Sequence, residues 1–584
     1  MEGSPLPDDI GHPPLEWGRE RLWPQFDALA DSDPEALALV DCQDRLWSRG
    51  KLHALALEIA GSLSAAGVGA GSRVLVAAHK TPATIAAALA VSSLEAVFCP
   101  ISPKLGAGDL ALLESRLGHA AKVVPSDGDG AEVIPADGTR SADPRDRETV
   151  LIGFTSGSTG VPKGVMQGAG ALNYATRACA AIAGLQPDDA ILGIVPLDSA
   201  PGFTFTAHFA LSLGHPLVLV DPWVPVEALK RAERYHCGWA IAVPTHLFTM
   251  VEAARLGEWS GRLPLRAMAV GGSAMTAELI ADADRLLGLK ALRMFGMSEC
   301  MGHASTRPGH SLERRQIFDG MPFPGTEEEA FDPALTPLPR GSRGQAGVRG
   351  PSLFLGYAEG LGAGQERMTP DGFYLTGDEI VRDEAGFIRV VGRIKDQIIR
   401  GGFNIDPAEV EAALLRHPAV AEVAVVAVPE RKLGEQACAV CRLRPGEGVI
   451  DLAALLDHMA DQGVSRKKWP EHLVLVETMQ VTATGKLDKK AMAVIAADEI
   501  GRRRAAIAVS RPPMFGRRQF LVGGRLLERQ ERLLDDAHAR GHRRCLERFP
   551  SSGAPADSET ADKQKTRAVE PMQSDRNLLQ ETDK

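Results

Sequence analysis

The stretch Phe154–Val165, FTSGSTGVPKGV, gathers anion-binding chemistry into one short segment. Thr155, Ser156, Gly157, Ser158, Thr159 and Gly160 come first, and Pro162, Lys163 and Gly164 follow. Glycines let successive backbone N–H groups turn inward as a nest for an anion. The hydroxyls add donors, and Lys163 adds a mobile positive charge. The spacing differs from the G-x-x-x-x-G-K-[ST] phosphate loop, because Val161 and Pro162 separate Gly160 from Lys163. Further charged or turn-forming residues recur downstream. Gly271, Gly272 and Ser273 lie in VGGSAM, and Phe295, Gly296, Met297, Ser298 and Glu299 lie in MFGMSEC. Asp378 lies in FYLTGDEI, and Arg393, Lys395, Gly401 and Gly402 lie in GRIKDQIIRGGFN. Lys486 lies in VTATGKLDKK.

These residues need a scaffold. Apolar Leu151–Phe154 lead into the loop, and the pattern from Gly164 to Leu185 reads as a helix, so the loop is anchored between core elements. From about residue 35 to 390 short buried-strand patterns such as GSRVLVAAH alternate with helical ones such as PATIAAALAVSSLEA. This alternation predicts helices flanking largely parallel sheets, an α/β fold. A second region begins near Arg393 and mixes strands with helices, the first starting at Asp406 or Pro407 with Glu409 and Glu411 in its first turn. The expected domains are an extension over 1–30, a large domain over 31–392, a small α+β domain over 393–497, and a tail over 498–584. Residues 501–550 are Arg-rich and lack Lys, and the chain beyond Pro550 is polar and reads as disordered.

Bulk properties agree. A chain of 584 residues is too long for one ordinary core. A hydrophobic content of 44% with 24% charged residues is that of a globular protein in water. The formal net charge of -10 argues against nucleic acid as the main partner. No apolar run is long enough to span a bilayer, and the N-terminus lacks the order of a secretory signal, so the expected compartment is the cytoplasm. Of the eight cysteines, Cys438 and Cys441 form a C-x-x-C inside an alternating apolar stretch. They read as buried strand residues, not as a metal or redox pair.

The order and spacing of the five charged segments resemble the adenylate-forming superfamily of acyl-CoA synthetases, luciferases and peptide-synthetase adenylation domains, over roughly residues 30–495. The resemblance implies a large N-terminal domain, a small mobile C-terminal domain, and two half-reactions. ATP converts a carboxylic acid into an acyl-adenylate, and a thiol then displaces AMP. Thr155 to Gly160 and Lys163 would embrace the β- and γ-phosphates. Glu299 would help hold Mg²⁺, with Ser298 where the family usually has Thr. Asp378 and Arg393 would hold the ribose, Phe295 would lie on adenine, and Gly271, Gly272 and Ser273 would let backbone approach the nucleotide. Lys486 would bridge the attacking carboxylate and the α-phosphate. Lys395 would be the hinge, with Gly401 and Gly402 on the face meeting a pantetheine thiol.

The acid is less legible. The segment VPLDSAPGFTF carries Asp198, Phe203 and Phe205 where the family builds its acid pocket, and a core role for the two phenylalanines is equally open. Asp198 resembles the aspartate that binds an α-amino group in amino-acid-activating domains, and a loop or helix-cap role is equally open. PGFTF, LVLVDPW and GHASTRP resemble cyclohexanecarboxylate or medium-chain acyl-CoA ligases, while GRIKDQIIRGG resembles aryl-acid-activating enzymes. The resemblance thus implies a ligase of a small alicyclic, medium-chain or aryl acid using ATP, Mg²⁺ and coenzyme A. The alternatives are an enzyme loading the phosphopantetheine of an acyl carrier protein, and an inactive scaffold. Retention of Lys163, Glu299, Asp378, Arg393 and Lys486 argues against the scaffold.

Overall fold

The structure, a computed structural model, describes residues 17–126, 129–137, 141–155, 163–272, 275–358, 367–394, 397–400, 403–430, 434–446, 448–482 and 486–510. Two sheets with parallel centres form the large N-terminal domain. In the first, the parallel strands Thr149–Thr155, Val97–Ile101, Arg73–Ala77 and Ala121–Pro125 lie side by side. Antiparallel Lys163–Gly168 and Gly356–Tyr357 extend one edge, and Ala131–Pro135 closes the other. In the second, Leu37–Val40, Leu217–Leu219, Ala190–Gly193, Cys237–Ala242, Ala267–Gly271 and Ala291–Met297 are parallel neighbours in that order. Strands buried on both faces read as continuous apolar runs, as in Val74–Val76 and Leu217–Leu219.

Helix Pro82–Ser93 shows the layering. Thr81 caps it by accepting from Thr84 N, and Pro82 sets its first turn. It is buried all round, packing on the first sheet on one side and on helices Leu22–Ser32 and Arg49–Ala65 on the other. Leu22, Phe26 and Ala30 belong to the main core, so the expected boundary at residue 30 falls inside a packed helix.

An antiparallel sheet of Glu327–Phe331, Arg343–Arg349, Tyr374–Arg382 and Ile388–Arg393 leads to the smaller C-terminal domain. There Val420–Glu430 and Gly434–Leu443 form a long hairpin, flanked by helices Pro407–Leu414, Leu452–Asp461 and Lys489–Ser510. Asp406 caps the first of these helices by accepting from Ala408 N. Cys441 faces one apolar cluster of this domain and Cys438 another, so the two thiols point to opposite faces of one strand and are no pair. Burial pushes both thiols up to about 12. The last helix passes the expected boundary at 497, because Ile500 is buried beside Met492 and Ala496 and Arg503 Nη1 donates to Leu473 O (2.8 Å). The remainder of the expected tail lies outside the described residues. Among the described residues no helix is long and apolar enough to cross a membrane.

One expectation changes in a way that matters for the site. The segment after the Ser/Gly loop begins as strand Lys163–Gly168, and the helix starts only at Ala169. Val165, Met166 and Gln167 are buried between neighbouring strands, so pairing overrides the helical pattern of these small residues. The loop therefore joins two antiparallel strands.

Candidate functional site

Thr155 and Lys163 are cross-strand partners at the mouth of that hairpin. The Ser156–Gly160 segment between them lies outside the described residues, as do Ser273, Lys395, Gly401 and Gly402. Two neighbouring strand ends of the second sheet supply the other wall. Ala267–Gly271 runs parallel to Ala291–Met297, with Gly271 opposite Met294. Gly272 and the turn bearing Ser298 and Glu299 thus emerge at the carboxyl ends of adjacent strands, where open α/β sheets form ligand crevices.

Glu299 is 7% exposed and held from two sides. The Tyr357 hydroxyl donates to Glu299 Oε1 (2.6 Å), and Phe354 N donates to Glu299 O (2.9 Å). Gln167 Nε2 donates to Ser298 O (2.7 Å), tying this turn to the hairpin strand that begins at Lys163. Lys163 Nζ stands 5.1 Å from the centre of the Tyr357 ring, close enough for a cation–π contact. Tyr357, Tyr374 and Gln167 escape the sequence reading. Each is a lone polar group in an apolar run, which gives no signal of its own.

Asp378 and Arg393 face each other across neighbouring antiparallel strands, and Arg393 Nε donates to Asp378 Oδ1 (2.6 Å). Asp378 is buried while the Arg393 side chain is mostly exposed. Phe295 is half-buried, its ring set edge-on against His303 with centroids 4.3 Å apart at 62°. Behind it, fully buried His303 Nδ1 lies 3.0 Å from Glu328 Oε2, so the ring behind Phe295 is braced by a carboxylate. Gly296, Met297 and Ser298 continue from Phe295 toward Glu299 with exposed or half-buried surface.

Lys486 reaches this crevice from the smaller domain. Thr482 N donates to Lys486 O (2.7 Å) and Lys486 N to Thr482 Oγ1 (3.3 Å), which fixes the backbone that carries the lysine. Gly272 has φ +92°, and a Cβ placed there would lie 2.6 Å from Lys486 Cε and 3.3 Å from its Nζ. The lysine thus lies against a glycine that keeps room for it. Lys486 retains open surface, yet loss of water around its ammonium lowers its pKa. Arg393 adds to the depression, and the charges of Asp378 and Glu299 oppose it. Arg393, Asp378, Glu299 and Lys486 therefore share one electrostatic environment.

Asp198, Phe203 and Phe205 are the residues expected at the acid pocket. Phe203 packs on Phe98 (4.7 Å between centroids) and lines a small inner cavity with Leu172 and His208. Phe205 lies beneath Gly302 and beside Phe323, and its carbonyl accepts from Trp239 Nε1 (3.2 Å). Both phenylalanines belong to the main core. The backbone makes a π-turn at Thr204–His208, a distortion frequent near functional sites. Asp198 is half-buried, and its Oδ1 has no hydrogen-bond partner. Burial raises its carboxyl, against a bond with Ser102 and the charges of Lys104 and Lys80. Lys80 donates to Ile194 O (2.6 Å) and Val220 O (2.8 Å), just beyond two strand ends, and burial pulls it down to about 8.

The crevice therefore offers two cations, Lys163 and Lys486, a buried carboxylate in Glu299, and the Asp378–Arg393 pair beside a half-buried aromatic face. Such a set can neutralise a polyphosphate, accept from vicinal hydroxyls and cover a planar base.

Residues 26–358 match a family model described as AMP-binding enzyme, and residues 409–486 match its companion, AMP-binding enzyme C-terminal domain. The medium-chain fatty-acid–CoA ligase of Escherichia coli (strain K12) is 31% identical over 342 residues, covering 59% of this chain and 60% of that protein. A salicylyl-CoA synthase / salicylate adenylyltransferase from a Streptomyces species is 31% identical over 353 residues, covering 59% of this chain and 63% of that protein. The chain thus matches under two thirds of the length of these relatives. Among solved structures, ATP-bound MatB from Rhodopseudomonas palustris superposes with a TM-score of 0.71 at 24% identity, covering 82% of this chain and 99% of that one. The o-succinylbenzoate CoA synthetase MenE from Bacillus subtilis, in complex with its acyl-adenylate intermediate, gives a TM-score of 0.69 at 23% identity over 81% of this chain and 98% of that one. At these identities the structural likeness speaks for the fold. With the first model alone covering more than half of the sequence, the chain belongs to the AMP-binding enzyme family.

Proposed function

We propose that the protein is an ATP-dependent acid–thiol ligase that joins a medium-chain, alicyclic or aryl carboxylic acid to coenzyme A by way of an acyl-adenylate. The observation that supports this reading most is the position of Lys486, against Gly272 and within electrostatic reach of Asp378 and Glu299. In the first step a carboxylate oxygen of the acid attacks the α-phosphorus of ATP, and the bond to the bridging oxygen breaks to release pyrophosphate. Two anions must meet, so the step needs positive charge where they meet and in-line placement. Lys486 supplies that charge from the smaller domain. Lys163, at the mouth of the Ser/Gly hairpin, faces the departing phosphates. Asp378 accepts from the ribose hydroxyls while Arg393 orients it, and Phe295 covers the base. In the second step a thiolate attacks the acyl carbonyl and AMP leaves with the electron pair of the broken C–O bond. Presenting Gly401 and Gly402 to that thiol requires the smaller domain to turn about Lys395.

Mg²⁺ fits the donor set as a companion of the nucleotide. Among the described residues no cluster of three or more His, Cys, Asp or Glu side chains exists to hold a resident ion. One buried carboxylate, Glu299, is what a cation carried mainly by phosphates requires. Bound there, Mg²⁺ would neutralise phosphate charge.

A second reading draws on Asp198, whose buried and unpartnered Oδ1 suits a donor on the substrate. In that case the acid carries an amine or hydroxyl, and the acceptor is the phosphopantetheine of a carrier protein. Incubation with ATP and a panel of medium-chain, alicyclic, aryl and amino acids, followed by coenzyme A or a phosphopantetheinylated carrier, separates the readings. The main one predicts a CoA thioester of a non-amino acid. A thioester formed on the carrier alone overturns it.

A further inference from the structure

Tyr357 has an address set by backbone. Its residue pairs with Val165, two positions after Lys163, and Ala358 N donates to Gly164 O (2.8 Å). The Tyr357 carbonyl accepts from Arg145 Nη2 (3.0 Å). The preceding Gly356 has φ +123°, and a Cβ on it would lie 2.5 Å from Arg145 Nη1, so this approach is open to glycine alone. Phe354 braces the rings of Tyr357 and Tyr374 edge-on, with centroids 5.1 and 5.2 Å away. The Tyr357 ring is thereby locked beneath Lys163 with its hydroxyl on Glu299.

The direction of the hydrogen bonds follows from counting protons. Glu299 Oε1 lies 2.6 Å from the Tyr357 oxygen and 3.1 Å separates the two phenol oxygens. An ionised carboxylate only accepts, so the single Tyr357 proton points to Glu299, and Tyr374 must donate to Tyr357. The relay runs Tyr374 to Tyr357 to Glu299, and Tyr374 opens the same strand that carries Asp378. Among the described residues Glu299 Oε2 receives no side-chain donor.

We propose that Tyr357 is a positioning residue: by occupying Oε1 it fixes the rotation of the Glu299 carboxylate and leaves Oε2 directed at the cation of a metal–nucleotide complex, while its ring locates Lys163 for the phosphates. This rests on reading Glu299 as the carboxylate that meets the nucleotide's cation. A purely packing role would be satisfied by phenylalanine, which keeps the ring and its contact with Lys163. The positioning role would not, because the hydroxyl is what orients the carboxylate.

The test is calorimetric titration of the full chain with ATP, with and without Mg²⁺, comparing wild type, Tyr357→Phe, Tyr374→Phe and Glu299→Gln. Tyr357→Phe is expected to weaken Mg²⁺-ATP binding about tenfold, the scale of one charge-assisted hydrogen bond, and to leave Mg²⁺-free ATP binding unchanged. Tyr374→Phe, one step further along the relay, is expected to show a smaller loss of the same kind. In the Glu299→Gln background Tyr357→Phe should add nothing. Full Mg²⁺-ATP affinity in Tyr357→Phe, with the Mg²⁺ contribution lost in Glu299→Gln, overturns the role of Tyr357 alone. An undiminished Mg²⁺ contribution in Glu299→Gln overturns the reading of Glu299 beneath it. If Tyr357→Phe fails to fold, Tyr374→Phe decides: unchanged Mg²⁺-ATP binding there contradicts the relay.

Discussion

Gly272→Ala probes the meeting of the two domains without replacing a charged residue. The new methyl would sit 2.6 Å from Lys486 Cε, 3.3 Å from Nζ and 3.4 Å from Cδ. Carbon atoms in comfortable contact are about 3.5–4.0 Å apart, so the lysine must retreat by roughly 1 Å. The positive φ adds strain of about 1–2 kcal/mol for a residue with a side chain. The side chain of Lys486 is flexible and partly open to solvent, so the fold absorbs the change by moving it. A displacement of that size at a reacting centre can lower a rate about 100-fold. Acid-dependent ATP–pyrophosphate exchange should therefore fall by about two orders of magnitude, equivalent to ~2.7 kcal/mol of barrier, while thermal unfolding shows only the modest backbone penalty. Thioester formation from a preformed acyl-adenylate needs no charge from Lys486 and should be unaffected. Exchange near the wild-type rate would refute the reasoning. An equal loss in both half-reactions would place the fault in nucleotide binding and refute it as well.

Asp378→Asn should weaken ATP binding about tenfold or more in calorimetry, because a charged acceptor paired with Arg393 is lost; unchanged affinity would exclude a ribose contact. Lys486 works as a cation and its pKa is lowered below the ordinary 10.5, so exchange should be full on the acid side of that lowered value and fall as pH rises through it. A pH profile with no decline before the ordinary lysine range would contradict the crowding of its ammonium. Ending the chain after residue 497 removes Ile500 and the Arg503 bond to Leu473, and should lower stability by roughly 1.5–3 kcal/mol for the lost apolar burial alone. A chain ending at Ser510 should melt like the full protein and keep its exchange activity; equal stability of the two truncations would show that the helix end contributes nothing.

The charged residues are legible in the sequence because each combines an unusual type with a turn or strand end: Lys163 after a Ser/Gly run, Glu299 after Phe-Gly, Asp378 after Thr-Gly, Lys486 after Thr-Gly. The buried strand cysteines are legible for a similar reason, since alternation places positions 438 and 441 on opposite faces. What brings Lys486 to Gly272 is not legible, because no local pattern records how one domain docks on another. Nor are Tyr357 and Tyr374, whose rings in LFLGYAEG and FYLTGDEI look like core aromatics until their hydroxyls are seen to meet. Strand Lys163–Gly168 is hidden by small residues that suit a helix equally well, and only its pairing with Thr149–Thr155 decides. The acid pocket is the least legible part. Phe203 and Phe205 suit a pocket or the core equally well in the sequence, and both belong to the main core cluster.

The central claim is that this chain activates a carboxylic acid with ATP through a lysine delivered by its smaller domain. The direct measurement is ATP–pyrophosphate exchange by the wild type and by Lys486→Ala, with an acid accepted in the panel and with no acid present. The account predicts exchange that depends on the acid in the wild type and is abolished in a normally folded Lys486→Ala variant. Exchange independent of acid, or retained without Lys486, would contradict it.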